Sequence, residues 1–599
     1  MSGSHDIIRI DYDRNLVELL LGRLARDPDD VAYRQYEKAA RDWVPWTWRQ
    51  FANRVSCWQQ ALAAEGLKAG DRVAVMLQNG RDWAAFDMAS QGLGLVVVPL
   101  YVNDRPDNMA LILQDCGARF LLVGNNEQWQ PLAGAEAMLA QLHRVVSLEP
   151  AAALPGGLQP VAADDWLPTV AGDVQVEAPG GAALASIVYT SGTTGRPKGV
   201  MLSHRNILAN VLGVLERVQA YPNDLFLSFL PLSHMLERTG GLYLPIASGA
   251  TVAFARSAKF LAKDFELVKP TVIISVPRIF DRIYAKVQEQ VAKQSSLKRA
   301  IVSQAIKTGW DNFLYEQGRG RWKPALTLRK QLDRVIGPKV RQAFGGNLRC
   351  AVAGGAAIAP EVTKFFIGSG ITILQGYGST ETSPVVAVNS FEANIPESVG
   401  QPLADVEVKI ADKDELLTRG PSVMVGYWNN PEATAQCIDD QGWFHTGDCA
   451  RIDEDHVFIT GRIKEIIVLG NGEKVPPGDM ELAIGTDELF HQVLVIGEGR
   501  PNLGALVVLE PEEYEKLARA EGLAELSAEK DSPRLKKILC ARIGAKLKDF
   551  PGYARIPRLA VLEEPWTVES GLLTPTLKPK RAKILEACDT EVRQLYGED

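Results

Sequence analysis

The 599-residue sequence contains no Cys-x-x-Cys pair. Its seven cysteines, Cys57, Cys116, Cys350, Cys437, Cys449, Cys540 and Cys588, are scattered, which excludes a paired-thiol zinc or redox motif and suits a reducing compartment better than a disulfide framework. Long apolar runs are also lacking, none approaching the ~18–20 residues that cross a bilayer. Met1 to Leu21 carries early acids and no apolar core behind a basic start, so no secretory signal is expected and the expected location is cytoplasmic. Positive charge is in deficit: 65 Lys and Arg stand against 73 Asp and Glu, a net charge of −8, which argues against a general nucleic-acid binder. No serine sits in a Gly-x-Ser-x-Gly setting, the nucleophile elbow of many hydrolases. Internal repeats and low-complexity tracts are absent.

What remains is an ordinary globular composition, 46% apolar and 23% charged, in a chain too long for one hydrophobic core. From Asp30 onward, strand-like runs alternate with amphipathic stretches: Arg72 to Leu77, the helical Arg81 to Gln91, then Val96 to Leu100 and Arg119 to Val123. That alternation predicts an α/β fold, a large N-terminal domain of mixed sheets flanked by helices. Trp46, Trp48 and Trp58 are expected to pack in its first layer. Ala151 to Ala183, crowded with Pro, Gly and Ala, reads as an irregular surface connection. Toward the C-terminus, strands such as Gln492 to Ile496 and helices such as Pro533 to Leu547 predict a small, mobile α+β lid.

The densest chemistry lies in Tyr-Thr-Ser-Gly-Thr-Thr-Gly-Arg-Pro-Lys-Gly-Val, Tyr189 to Val200. It follows the apolar run Leu184 to Val188, so it begins where a buried strand surfaces. Gly192, Gly195 and Gly199 permit tight turns, Thr190, Ser191, Thr193 and Thr194 add hydroxyl donors, and Lys198 adds a positive charge. Such a turn suits phosphate, whose oxygens are all acceptors. A Walker A loop is excluded because Pro197 occupies the position before the lysine. Ser203 to Val218 reads as a helix whose opening would bring a positive terminus to bound phosphate.

Further strings follow in order. His234 lies in a Leu-Pro-Leu-Ser-His run that continues into Glu237 and Arg238. Gly354-Gly-Ala356 opens a turn after the strand-like Cys350 to Ala353. In Gln375-Gly-Tyr-Gly-Ser-Thr-Glu-Thr-Ser383, Tyr377 offers an aromatic face for a purine, Thr380 a hydroxyl, and Glu381 a carboxylate able to hold Mg²⁺ on triphosphate oxygens. Trp443-Phe-His-Thr-Gly-Asp448 ends in a carboxylate that can accept both hydroxyls of a ribose. Gly461 to Val475 reads as two strands joined at Asn471-Gly472, with Arg462 able to reach ribose or phosphate. Lys578 and Lys580 lie in Leu573-Thr-Pro-Thr-Leu-Lys-Pro-Lys-Arg581.

Taken together these strings resemble the adenylate-forming superfamily of acyl-CoA synthetases, luciferases and peptide-synthetase adenylation domains. The resemblance covers nearly the whole chain. Glu237-Arg238 and the Val276-Pro-Arg-Ile-Phe-Asp-Arg-Ile-Tyr284 string are similar to its long-chain fatty-acid branch. It implies a division into residues 1–463 and a lid over 464–599, with Lys464 as the hinge. It implies catalytic roles for Lys578, Glu381, Lys198 and His234, the last near the substrate carboxylate. Nucleotide and cosubstrate contacts would come from Thr190, Ser191, Gly192, Thr193, Thr194, Gly195, Gly354, Gly355, Ala356, Gly376, Tyr377, Gly378, Thr380, Asp448, Arg462, Lys464 and Gly472, and metal contacts from Glu381 and Thr190. The family pattern has Gly before the lid lysine where this chain has Leu577, which keeps Lys580 in play as a rival. The implied reaction consumes ATP with Mg²⁺, joins a fatty acid to AMP and passes the acyl group to coenzyme A. An acyl-AMP ligase serving an acyl carrier protein is the alternative. A pseudoenzyme that binds without turnover is disfavoured by the intact Glu381, Asp448 and Lys578. Acyl chain type and oligomeric state stay open.

Val276 to Arg349 differs in character: it reads as mostly helical and carries sixteen Lys or Arg against five Asp or Glu. Two readings stand, solvated helix faces or a platform for anionic lipid or the phosphates of CoA. The second places a peripheral contact with the inner face of an anionic membrane among the expectations.

Overall fold

The computed structural model describes residues 7–8, 11–177, 180–191 and 197–598. Two large sheets form the body. The eight-stranded sheet runs, edge to edge, Gly426–Tyr427, Pro197–Ser203, Leu184–Ser191, Val96–Pro99, Arg72–Met76, Phe120–Val123, Arg144–Ser147 and Val161–Ala162. From Leu184–Ser191 to the far edge the pairing is parallel. Strands such as Val-Val-Val-Pro and Phe-Leu-Leu-Val are buried at every residue, as a parallel sheet covered on both faces requires.

The nine-stranded sheet has a parallel centre, Val31–Glu37, Thr251–Phe254, Leu225–Ser228, Val272–Ser275, Cys350–Ala353 and Thr372–Gly378, with antiparallel strands at its margins. Alternation along its strands sorts the side chains. Phe226, Val252, Val272, Ile274 and Leu374 enter a core shared with Val73, Val75, Val97 and Phe120 of the other sheet. Leu227, Ala253, Ile273, Ala351 and Ile373 point the opposite way, beneath the helices Pro277–Ala292, Ser296–Glu316, Arg329–Gln342 and Pro360–Gly368. Between the sheets lie the helices Trp48–Ala64, Arg81–Gly92 and His204–Arg217. Trp48 and Trp58 are fully buried in this layer, whereas Trp46 is half-buried and holds the Arg81 guanidinium 3.9 Å above its ring.

A buried polar network fastens the layers together. Arg238 and Asp87 form an ion pair with both side chains fully buried. Arg238 also donates to Ser186 Oγ at 2.7 Å, and Tyr243 donates to Asp87 at 2.7 Å while accepting from Gln91 at 2.8 Å. One sheet, the helix Arg81–Gly92 and the segment after His234 are thus joined through one buried ion pair.

Glu407–Ile410, Glu415–Arg419, Phe444–Asp453 and His456–Arg462 form a four-stranded antiparallel sheet, and a three-stranded sheet, Phe490–Ile496, Gly504–Leu509 and Arg558–Leu562, centres the C-terminal part. One face of the latter packs Val495, Val507 and Val561 under Pro477–Ile484 and Pro533–Lys546; the other packs Leu494, Leu506 and Val508 against Trp566 and Ile584.

Several expectations need correction. The strand that leads to the phosphate loop does not stop at Val188 but runs to Ser191, and Lys198 lies in its antiparallel partner. The helix His204–Arg217 does not open toward that loop. Ser203 pairs with Leu184, at the opposite end of the hairpin from Ser191 and Pro197, about 20 Å away at the rise of a strand. The helix is instead capped by Ser203, with His204 N and Arg205 N donating to Ala183 and Gly181. The lid hairpin is joined not at a two-residue Asn471-Gly472 turn but through three residues, because Leu469 N still bonds Glu473 O and Gly472 takes φ +88°, a bulged turn that favours glycine. The 151–183 connection is not a mere surface strap: Trp166 packs on Trp58 and Phe120, and Gln59 pins Gln175 through two hydrogen bonds.

The Asp87–Arg238 pair gives the fold a specific weakness. Asp87→Ala should cost about 3–5 kcal/mol by urea unfolding, because it strands a buried guanidinium, whereas Asp87→Leu with Arg238→Met should cost less. A single-variant loss within about 1 kcal/mol would contradict the role given to the network.

Candidate active site

The ends of the parallel strands of both body sheets converge with the four-stranded sheet on one cleft. Strand Thr372–Gly378 delivers Tyr377, and the paired strands Phe444–Asp453 and His456–Arg462 bring Asp448 opposite Arg462. Tyr377 donates to Asp448 Oδ2 at 2.5 Å and Arg462 Nε donates to Oδ1 at 2.8 Å. Both oxygens are engaged, but a carboxylate has about four acceptor positions, so capacity remains for two hydroxyls of a ligand. Burial, with the Asp448 charge second, holds the Tyr377 phenol well above its ordinary range. Its ring is therefore a neutral face anchored at its hydroxyl.

The loop carrying Gly354, Gly355 and Ala356 runs beside that strand. Gly354 N donates to Ser275 O at 3.1 Å, and a Cβ at Gly354 would lie 3.4 Å from Leu236 and 3.6 Å from Gly376 O. Gly355 needs its freedom, at φ +83°. A Cβ on Gly378 would come within 1.7 Å of Pro384 O, so only glycine fits there. Gly376 pairs with Val388, and Thr380 opens the short turn that carries Glu381.

A second cluster sits by the phosphate-loop hairpin. Thr190 and Lys198 are cross-strand partners. The Lys198 ammonium lies 4.9 Å from the centroid of the Tyr427 ring, and the Tyr427 hydroxyl donates to Glu381 Oε1 at 2.9 Å. Tyr427 is held by pairing with Val200 at the sheet edge. Burial, then Glu381, raises its pKa, which keeps it a donor. Sequence reasoning missed Tyr427; its Gly-Tyr setting carries no chemical signal, and only the added edge strand brings it to Glu381. Gly192, Thr193, Thr194 and Gly195 lie outside the described residues, as does the side chain of Ser191.

Lys578 reaches the first cluster. It stands in a tight turn, Thr574 N to Lys578 O at 2.9 Å and Leu577 N to Thr574 O at 2.8 Å, in electrostatic contact with Arg462, Asp448 and Glu465. Its side chain keeps access to solvent, yet burial by the cleft walls, followed by the Arg462 charge, pulls its ammonium below the ordinary lysine value. Lys580 points elsewhere, toward Asp104, Arg105 and Asp107, which separates the two candidates by geometry. Leu577 adopts φ +62° and is exposed. The turn requires the left-handed conformation that glycine takes freely, and leucine accepts it at roughly 1–2 kcal/mol.

His234 is half-buried beside this group and senses Lys578. Its Nδ1 accepts from Leu236 N at 3.2 Å, which leaves the proton of a neutral ring on Nε2 as a donor. Lys464 is exposed just past Ile463, whose amide still bonds Gly447 O, and just before Ile467 in the lid core. Gly472 is apart from these groups in one respect: open space surrounds it, and its amide bonds Leu469 of its own turn.

The donor set fits magnesium. Among the described residues no three acidic, His or Cys side chains form a metal cage, and Mg²⁺ characteristically takes one or two carboxylates plus substrate phosphates and water. Glu381, with Thr190 near Lys198, would supply that share.

Comparison with known proteins identifies the family. Residues 22–428 match the AMP-binding enzyme family and residues 464–599 match the AMP-binding enzyme C-terminal domain. The long-chain-fatty-acid–CoA ligase FadD15 of Mycobacterium tuberculosis is 32% identical, over 100% of this chain and 98% of its own length. The chloroplastic long-chain-fatty-acid–[acyl-carrier-protein] ligase AEE15 of Arabidopsis thaliana is 26% identical over 92% of this chain and 82% of its own. Among solved structures, the adenylation domain of a Mycobacterium chelonae carboxylate reductase superposes with a TM-score of 0.76 at 22% identity, over 98% of this chain and 91% of that one. The anthranilate–CoA ligase AuaEII with anthranoyl-AMP gives 0.73 at 20%, over 96% and 98%.

Burial, then the nearby Lys578 charge, lowers the His234 pKa from 6.5 to about 4. The folded state therefore binds fewer protons than the unfolded chain between those values, so this histidine's contribution to stability is full above pH 6.5 and declines as pH falls toward 4. Nitrogen-15 NMR should find a neutral His234 with the proton on Nε2 at pH 6. Titration with a midpoint near 6.5 would contradict the geometry.

Proposed function

The chain belongs to the AMP-binding enzyme family, and from that premise we propose that it is an ATP-dependent acid–thiol ligase that activates a long-chain fatty acid as acyl-adenylate and transfers the acyl group to coenzyme A. The observation that carries the proposal is the meeting of Lys578, Asp448, Arg462 and His234 at one cleft. The 32% identity to a long-chain-fatty-acid–CoA ligase over the full chain supports the substrate class and the thiol acceptor.

In the first step a carboxylate oxygen of the fatty acid attacks the α-phosphorus of ATP, and the bond to pyrophosphate breaks. The body residues do positional work: Tyr377 offers a neutral face to the adenine, and Asp448 takes the ribose hydroxyls. A divalent cation between Glu381 and the phosphates, when bound, would neutralise charge on the leaving pyrophosphate. Lys198 assists at the same end. Lys578 and the Nε2–H of His234 address the carboxylate and α-phosphate, where the withdrawal of water strengthens each charge interaction. No side-chain nucleophile is needed. In the second step the thiol attacks the acyl carbonyl and AMP departs with the bridging oxygen; a turn of the lid about Lys464 would withdraw Lys578 and present the Gly472 hairpin to the pantetheine arm.

Single-turnover assays with palmitate test this. Lys578→Ala should slow acyl-adenylate formation about 10²- to 10³-fold, on the scale of one lost transition-state donor, and largely spare thioester formation from supplied acyl-adenylate. Lys580→Ala should affect either step far less. The reverse ranking of the two lysines would overturn the assignment, and AMP release that requires holo acyl carrier protein and ignores CoA would favour the carrier-protein ligase.

No helix among the described residues is long and apolar enough to cross a membrane. Our reading includes a peripheral contact. Leu297, Ile301, Trp322 and Leu328 are exposed on the insert among Lys298, Arg299, Lys323 and Arg329, a mixture suited to an anionic lipid surface. Co-sedimentation with phosphatidylserine vesicles should exceed that with phosphatidylcholine at low salt and fade as salt rises. Equal binding to both would remove the membrane from the account.

A further inference from the structure

The positive charge of the insert is divided between two faces. Along the helix Pro277–Ala292, Arg278, Arg282 and Lys286 recur every four residues, which places them in one stripe. That helix does not face open solvent alone. Leu482, on the lid helix Pro477–Ile484, packs against the same hydrophobic cluster as Ile283, Tyr284 and Val287, the cluster that holds Phe280 of this helix. Lys546 Nζ, at the end of the lid helix Pro533–Lys546, lies 3.7 Å from Glu361 Oε1 on the body helix Pro360–Gly368. Tyr284 packs edge-on to Phe365 of that same body helix, with ring centroids 5.1 Å apart.

The lid brings the opposite charge to this contact. Residues 487–515 hold seven Asp or Glu and a single Arg500. Glu510 lies within electrostatic reach of Arg278. Further along, Glu289 of the insert helix and Glu488 of the lid share the neighbourhood of Lys516. An apolar contact at Leu482, an ion pair at Lys546 and the opposite charges of Arg278 and Glu510 thus lie on one interface, whereas Glu289 and Glu488 are like charges that share Lys516 between them.

We propose that the insert helix Pro277–Ala292 is the seat of the lid, and that Arg278, Arg282 and Lys286 are positioning residues holding the lid in the orientation that brings Lys578 into the cleft. They touch no reacting atom and act through Lys578. The seat rests on the two-step reading above only for its kinetic consequence, since the docked lid can also be observed without turnover.

The test pairs kinetics with hydrogen exchange on the full-length protein. Arg278→Glu should slow acyl-adenylate formation about fivefold to tenfold, the scale of one pair turned from attraction to repulsion, and leave thioester formation from supplied acyl-adenylate unchanged. Amide exchange should rise in residues 277–292 and 477–484 together. Adding Glu510→Arg to the same chain should restore both readouts, which simple damage to the fold would not allow. Arg282→Glu with Lys286→Glu offers a second, more exposed disruption, expected to act in the same direction. Unchanged exchange in both helices, or loss of both half-reactions to one degree without rescue, would overturn the seat. If the ligase reading itself failed, there would be no half-reactions to divide, yet the exchange measurement and its rescue would still decide whether the lid docks here.

Discussion

Asp448 is the point at which body, hinge and lid meet. Its carboxylate takes one hydrogen bond from Tyr377 in the body and one from Arg462 at the edge of the hinge, and it shares its surroundings with Lys578 of the lid. Two cations therefore converge where one carboxylate and the partly exposed Glu465 stand as counter-charges. Burial and Arg462 already hold the Lys578 ammonium below its ordinary value. An anion arriving in the cleft relieves that strain, so a carboxylate or phosphate is drawn to the place where the closed lid is otherwise electrostatically under-satisfied. Binding and lid closure become the same event in this account.

The proposed turn of the lid requires a body that holds its shape. The Asp87–Arg238 pair supplies that stiffness. It is costly to desolvate, yet both terminal guanidinium nitrogens of Arg238 and both oxygens of Asp87 are hydrogen-bonded, and removing either partner is worse than keeping both. Because Arg238 lies four residues past His234, the network also fixes the short helix that His234 caps. The neutral imidazole then offers a proton without adding a third positive charge to the cleft.

Much of this was legible in the chain. The parallel strands were visible as short apolar runs, the residues around Glu381 and Asp448 stood out by their chemistry, and Lys578 stood out only by resemblance to the family's order of motifs. The misses share one cause, pairing between segments distant in sequence. Nothing local to Ser203 indicates that it lies opposite Leu184, so the helix after it seemed to face the phosphate loop. Nothing local to Tyr427 indicates that it joins the sheet edge beside Lys198. The charge of the insert was legible as a sum but not as faces, since Glu510, the lid acid within electrostatic reach of Arg278, lies more than two hundred residues later. Leu577 is the reverse case: its sequence departs from the family pattern, and the structure answers with a leucine held at a glycine's backbone angle.

The most direct measurement of the central claim follows an oxygen atom. With both carboxylate oxygens of the fatty acid labelled as oxygen-18, attack on the α-phosphorus and later displacement by the thiol should deliver one labelled oxygen to each AMP released, seen by mass spectrometry. AMP free of label, with the oxygen retained in the acyl product or carried into pyrophosphate, would contradict an acyl-adenylate pathway at this cleft.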